Sequence, residues 1–76
     1  MATVTLPDLG EGIKTAVVSY WYVKPGDKVG QDDDVVELAT DKATFNVSAG
    51  SSGIVKKILV KEGEEVNIGE SLAVIE

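Results

Sequence analysis

Cysteine, histidine and arginine are all absent from this 76-residue sequence, and each absence removes a class of chemistry. Without cysteine there is no disulfide framework, no thiolate nucleophile and no cysteine-rich metal site. Without histidine the commonest general base is missing. There is no arginine, and seven lysines face thirteen acids for a formal charge of −6. Such a chain has no basic patch with which to neutralise nucleic-acid phosphates or anionic lipid. Neither nucleic acid nor a membrane is therefore an expected partner. The apolar runs are too short for a membrane span. Residues 1–6 lack the charged start and apolar core of a signal peptide.

Hydrophobic residues make up 43% of the chain and charged residues 26%. That balance is typical of a globular domain and not of a disordered tail. The length allows one domain, taken as residues 1–76, with a limited core. An enzyme cleft beside its own scaffold does not fit. The acidic surface favours a soluble, monomeric module that is biased toward basic partner surfaces.

Glycine and proline cut the chain into short pieces. Residues 3–6 read as a strand stopped by Pro7, and residues 8–15 as a loop containing Gly10 and Gly12. Residues 16–24 are rich in valine and aromatics and read as a strand. Alternation places Val17, Ser19, Trp21 and Val23 on one face and Val18, Tyr20, Tyr22 and Lys24 on the other. Pro25-Gly26-Asp27 reads as a turn. Further strands are expected over 35–40, 44–48, 54–60 and 71–75, and no segment carries the apolar period of a helix.

The chain also repeats itself. A shift of 37 residues lays Val17-Val18 on Ile54-Val55 and Val23-Lys24-Pro25-Gly26-Asp27 on Val60-Lys61-Glu62-Gly63-Glu64. Val29 then meets Val66, Val35 meets Leu72, and Leu38 meets Ile75. Each half runs strand, turn, short strand, loop, strand. Neither half can bury its own apolar face, so the two are expected to pack against each other as a sandwich. Lys42 falls on the link between the halves, with the termini expected at the opposite end.

Candidate chemistry is sparse. Asp32-Asp33-Asp34 lacks the ligand alternation, central glycine and terminal glutamate of a calcium loop, and reads as a solvated turn. Gly10 and Gly12 complete neither a dinucleotide nor a P-loop pattern. Trp21, with Tyr20 and Tyr22, could stack on bases but lacks surrounding cations; core packing suits Trp21 better. Lys42 remains, an amine on a flexible stem at a hairpin tip. Its neighbours Thr40, Asp41, Ala43 and Thr44 are small or short, which leaves the amine open to a modifying enzyme. On position alone, surface solvation and modification both stay open.

Several stretches together carry a resemblance. They are Leu6-Pro7-Asp8-Leu9-Gly10-Glu11-Gly12-Ile13, Trp21, Val23-Lys24-Pro25-Gly26-Asp27-Lys28-Val29, Thr40-Asp41-Lys42-Ala43, and Gly53-Ile54-Val55 leading into Val60-Lys61-Glu62-Gly63. In this order and spacing the chain resembles the lipoyl domains of dihydrolipoamide acyltransferase (E2) components of 2-oxo acid dehydrogenase complexes. The resemblance covers almost the whole chain. It implies an all-β flattened barrel or sandwich of two four-stranded antiparallel sheets with quasi-two-fold symmetry. It also implies lipoic acid in amide linkage on Lys42, with Asp41 and Ala43 read by the lipoate ligase or lipoyl transferase.

The implied role is a non-catalytic swinging-arm carrier. A thiamine-diphosphate enzyme (E1) reductively acylates the arm, the E2 catalytic domain passes the acyl group to coenzyme A, and a flavoprotein (E3) reoxidises the dithiol. The loop over residues 8–15, with Glu11, Gly12, Ile13 and Lys14, is expected near Lys42 as the part that E1 recognises. The chain departs from the family at Asn46-Val47-Ser48, where a Glu-Val-Pro-like stretch is common; losing the proline is expected to loosen the crossover between halves.

The resemblance places the chain as an N-terminal module of a longer polypeptide, in a bacterial or archaeal cytoplasm or, in a eukaryote, the mitochondrial matrix. It leaves the choice among pyruvate, 2-oxoglutarate and branched-chain substrates open. Two other readings compete: a biotinyl carrier domain, whose lysine usually sits between methionines, and an unmodified adaptor of the same fold. A small enzyme is disfavoured by the missing acid–base groups.

Overall fold

The computed structural model describes residues 2–76, which form eight strands and no helix. In chain order they are β1 (Ala2–Thr5), β2 (Thr15–Trp21), β3 (Lys28–Val29), β4 (Asp34–Ala39), β5 (Thr44–Ser48), β6 (Gly53–Ile58), β7 (Glu65–Asn67) and β8 (Ser71–Ile75). They make two four-stranded antiparallel sheets, ordered β1-β8-β6-β3 and β5-β4-β2-β7. Advancing every strand of the second sheet by four gives the first, so the expected quasi-two-fold sandwich is present. Each sheet takes two strands from each half of the chain.

The register obeys the same relation. Val18 pairs with Leu38 and Trp21 with Val36; 37 residues on, Val55 pairs with Ile75 and Ile58 with Ala73. The pairs of β2 with β7 match those of β6 with β3 in the same way. The core follows: Val18 and Val55, Val29 and Val66, Val35 and Leu72, and Leu38 and Ile75 are all buried. Each such side chain contributes about 1.5–3 kcal/mol by leaving water, and no charged or polar residue joins them. One equivalence is uneven. Ala16 corresponds to Gly53, where an added Cβ would stand 2.6 Å from the Glu76 carbonyl oxygen.

Simple alternation fails on β2. Ala16 and Val18 point inward, yet the next inward residues are Trp21 and Val23, while Val17, Ser19, Tyr20 and Tyr22 face solvent. The cause is a β-bulge between Val18 and Tyr20. The extra residue, Ser19, shifts the side-chain phase by one. The same bulge recurs between Val55 and Lys57, so Val55, Ile58 and Val60 point inward in place of a strict alternation. Strand β2 also ends at Trp21, short of Lys24.

Turns after the bulged strands are built alike. Gly26 and Gly63 take φ of 96° and 91°, the conformation that a type II turn requires at its third residue. In each the acid at the fourth position closes the turn twice. Asp27 donates its amide to the Lys24 carbonyl and accepts the Lys24 amide on its carboxylate. Glu64 does the same with Lys61. Two further turns use the device: Asp33 on Gly30, and Glu70 on Asn67. The crossover over residues 49–52 is anchored despite Ser48, since Ala49 and Gly50 donate to the carbonyls of Asp33 and Gln31.

Candidate functional site

Strands β4 and β5 form the hairpin that carries Lys42. The last ladder pair is Ala39 with Thr44. Beyond it the Thr40 amide donates to the Ala43 carbonyl at 2.8 Å. No non-glycine residue described has a positive φ, so Asp41 and Lys42 turn the chain without the mirror-image geometry that best matches strand twist. The return bond is made by a side chain. The Thr40 hydroxyl accepts the amides of Lys42 and Ala43, at 3.3 and 3.2 Å, and donates to the Ala43 carbonyl at 3.0 Å.

Thr40 thus satisfies backbone groups that an open turn leaves to water. In the sequence Thr40 stands out only as a small neighbour of Lys42. A threonine two residues before the turn's apex is itself a signal for this hydroxyl-to-backbone geometry. Asp41, Lys42 and Ala43 are exposed. Among the described residues, no hydrogen bond or ion pair engages the Lys42 amine.

The loop between β1 and β2 comes to this turn. Gly12, Ile13 and Lys14 line an open groove of about 420 Å³ together with Thr40, Asp41 and Lys42. Glu11 lies at the loop's exposed tip, outside that lining. The loop is held at both ends. Leu6 exchanges backbone bonds with Glu70 and Gly69, and Ile68 donates to the Lys14 carbonyl. Residues 6–14 here stand where the other half has only residues 49–52, and the extra length reaches the lysine turn.

The other sequence candidates have structural employment. Asp33 closes its own turn, and Asp34 accepts from the Asn46 amide at 3.3 Å. Trp21 packs half-buried on the core and donates its indole N–H to the Val60 carbonyl at 3.1 Å. Its backbone amide, displaced by the bulge, is taken up by the Glu62 carboxylate at 3.0 Å.

A family model described as "Biotin-requiring enzyme" (Biotin_lipoyl) matches residues 2–75. The chain belongs to this biotinyl/lipoyl domain family. Among its relatives, the lipoamide acyltransferase component of the branched-chain alpha-keto acid dehydrogenase complex of Bacillus subtilis is 36% identical, over 96% of this chain and 17% of that protein. The dihydrolipoyllysine-residue succinyltransferase component of the 2-oxoglutarate dehydrogenase complex of Buchnera aphidicola is 41% identical, over 91% of this chain and 18% of that protein. The chain thus spans less than a fifth of the length of either.

The lipoyl domain of the Azotobacter vinelandii 2-oxoglutarate dehydrogenase complex superposes with a TM-score of 0.79 at 32% identity, covering 100% of this chain and 96% of that one. The Kluyveromyces lactis urea carboxylase gives a TM-score of 0.84 at 29% identity, covering 99% of this chain and 6% of that one. The backbone alone therefore does not separate lipoyl from biotinyl members. The sequence relatives do: they are acyltransferase components, and the chain is a lipoyl domain of their kind.

Proposed function

We propose that Lys42 carries lipoic acid in amide linkage and that the domain serves as the swinging arm of a 2-oxo acid dehydrogenase complex. The observation that carries this reading is the exposed, unengaged Lys42 amine on a hairpin tip braced by Thr40, in a chain of lipoyl family. An amine without a partner loses no ion pair when acylated, and a rigid tip presents it in one position to a ligase. When bound, lipoic acid supplies a dithiolane able to accept and release acyl groups. The protein's part is presentation and tethering, which raise the effective concentration at each active site.

On this reading the partners are the thiamine-diphosphate component, the acyltransferase core, the flavoprotein dehydrogenase and a lipoate ligase or lipoyl transferase. The compartment is the one that houses such a complex, the cytoplasm of a prokaryote or the mitochondrial matrix. Asp41 and Ala43 flank the acceptor, and the loop with Glu11, Gly12, Ile13 and Lys14 offers a second contact for the thiamine-diphosphate component.

The test is intact-mass measurement after co-expression with lipoate ligase or, separately, with biotin ligase. A lipoyl mass gain that Lys42→Gln abolishes is the expected result. A biotin gain without a lipoyl gain assigns the domain to the biotinyl branch, and no gain in either arm leaves an unmodified adaptor.

A further inference from the structure

The two sheets satisfy the same packing rules on their inner faces, so differences between their outer faces are not dictated by the fold. Those differences are large. On the sheet that carries Lys42, one row across the strands reads Glu65, Val17, Ala39 and Thr44, immediately below the lysine turn. The next reads Tyr20, Glu37 and Asn46. Tyr22 follows, its hydroxyl donating to Asn46 Oδ1 at 3.1 Å, while Asn46 Nδ2 donates to the Asp34 carboxylate. The two-fold equivalents of Glu65, Ser19 and Tyr20 on the other sheet are Lys28, Lys56 and Lys57; Val74 stands where Glu37 does. One face is acidic and aromatic; the other carries the three lysines, of which Lys56 is paired with the Glu76 carboxylate at 3.3 Å.

The aromatic part is ordered. Tyr20 and Tyr22 are 52% and 44% exposed, yet their rings pack edge to face with centroids 5.2 Å apart. Asn46 and Asp34 pin the second ring. Exposed tyrosines fixed in place lose little freedom on binding, which is what makes them effective contacts. The Tyr22 phenol is held above its ordinary value, first by local desolvation and then by the Glu37 and Asp34 carboxylates. The two carboxylates thus lie close enough to the second ring to act on it.

We infer that the outer face bearing Tyr20, Tyr22, Glu37 and Asp34 docks a lysine- or arginine-bearing surface of the enzyme that acylates the arm. Cations over tyrosine faces with carboxylates beside them fit this chemistry, and the face runs up to the Lys42 turn, so a partner seated on it reaches the amine. The inference rests on the carrier reading for the identity of the partner, but not for its detection.

The experiment has two arms. In the first, the unlipoylated 15N-labelled chain is titrated with purified thiamine-diphosphate components of the pyruvate, 2-oxoglutarate and branched-chain complexes. Line broadening by at least one of them at Tyr20, Tyr22 and Glu37, reversed by added salt, is expected. Broadening confined to the loop and the lysine turn overturns the inference. So does broadening at both outer faces when the labelled chain alone is concentrated, which assigns the acidic face to the Lys57 face of a second copy.

In the second arm, the lipoylated chain is a substrate for the same enzymes. The pair Tyr20→Ser with Glu37→Lys is expected to raise KM about tenfold, from lost cation–π contact and charge reversal, with kcat unchanged. Lys57→Glu, on the opposite outer face, is expected to behave as wild type. Equal KM for the double variant and wild type, with lipoylation and folding intact, overturns the inference. Absent lipoylation or absent acylation of wild type refutes the carrier reading instead, and leaves the first arm to judge the face.

Discussion

The Thr40 hydroxyl stands 3.0 Å from the Ala43 carbonyl oxygen, to which it donates, and 3.2 Å from the Ala43 amide, from which it accepts. Beside the backbone bond from the Thr40 amide to the Ala43 carbonyl, one side chain thus takes over the return bond of the Lys42 hairpin. Thr40→Val keeps the shape and removes all three bonds of the hydroxyl, including the one from the Lys42 amide. It should lower unfolding free energy by about 1 kcal/mol and slow modification of Lys42 by lipoate ligase. Thr40→Ser should restore both. Chemical denaturation and a timed mass assay of lipoylation check this, and unchanged lipoylation in Thr40→Val would show that turn bracing is not read.

The carboxylate-closed turns make a second prediction. Asp27 and Glu64 occupy equivalent positions and each accepts the amide that opens its turn. Asp27→Ala and Glu64→Ala should each cost about 0.5–1.5 kcal/mol. The double variant should show the sum, because the two turns share no residue. Asp27→Asn, which retains an acceptor oxygen, should lose less than Asp27→Ala. Urea titration monitored by Trp21 fluorescence measures all four.

Deleting Ser19 should be far more damaging than replacing it. Removal of the bulge returns β2 to strict alternation, which swings Trp21 and Val23 to solvent and the two tyrosines toward the core. The deletion is expected to abolish cooperative unfolding, whereas Ser19→Ala should stay within about 0.5 kcal/mol of wild type. A cooperative, native-like transition in the deletion variant would contradict the bulge's role.

Alkaline stability gives a fourth. Local desolvation and then the Glu37 and Asp34 carboxylates raise the Tyr22 phenol above its ordinary 10.0, so the folded state favours the neutral ring. The associated stability is intact below pH 10 and is lost as pH rises through the folded value. Tyr22→Phe should therefore show a shallower alkaline fall in melting temperature than wild type. An identical fall in both proteins would exclude Tyr22 as a contributor.

Much of this architecture was legible because the repeat was. Val18 and Val55, Leu38 and Ile75, and the paired Gly26 and Gly63 turns announce two halves that must share a core. The bulges were not legible. Ser19 and Lys56 are ordinary polar residues in strand-like surroundings, and an extra residue shows itself only against a pairing partner. The inward spacing from Val18 to Trp21 and from Val55 to Ile58, the same in both halves, was the available clue. At the site, position picked out Lys42 and the nearby loop, but the bracing by Thr40 depends on a hydroxyl orientation that composition does not reveal. The opposed charge of the outer faces became visible only once the register aligned Glu65 with Lys28 and Tyr20 with Lys57.

The exchange of strands between halves has a consequence for how the domain comes apart. Sheet β1-β8-β6-β3 and sheet β5-β4-β2-β7 each borrow two strands from the opposite half, so the chain is interlaced with itself as two swapped protomers would be. Neither half of the chain can detach and leave an intact layer behind. Loss of either half dismantles both layers, so amide hydrogen exchange in the central strands β2, β4, β6 and β8 is expected to report one shared global event. The Lys42 hairpin takes one strand, β4, from the first half and one, β5, from the second, so its attachment depends on both halves at once.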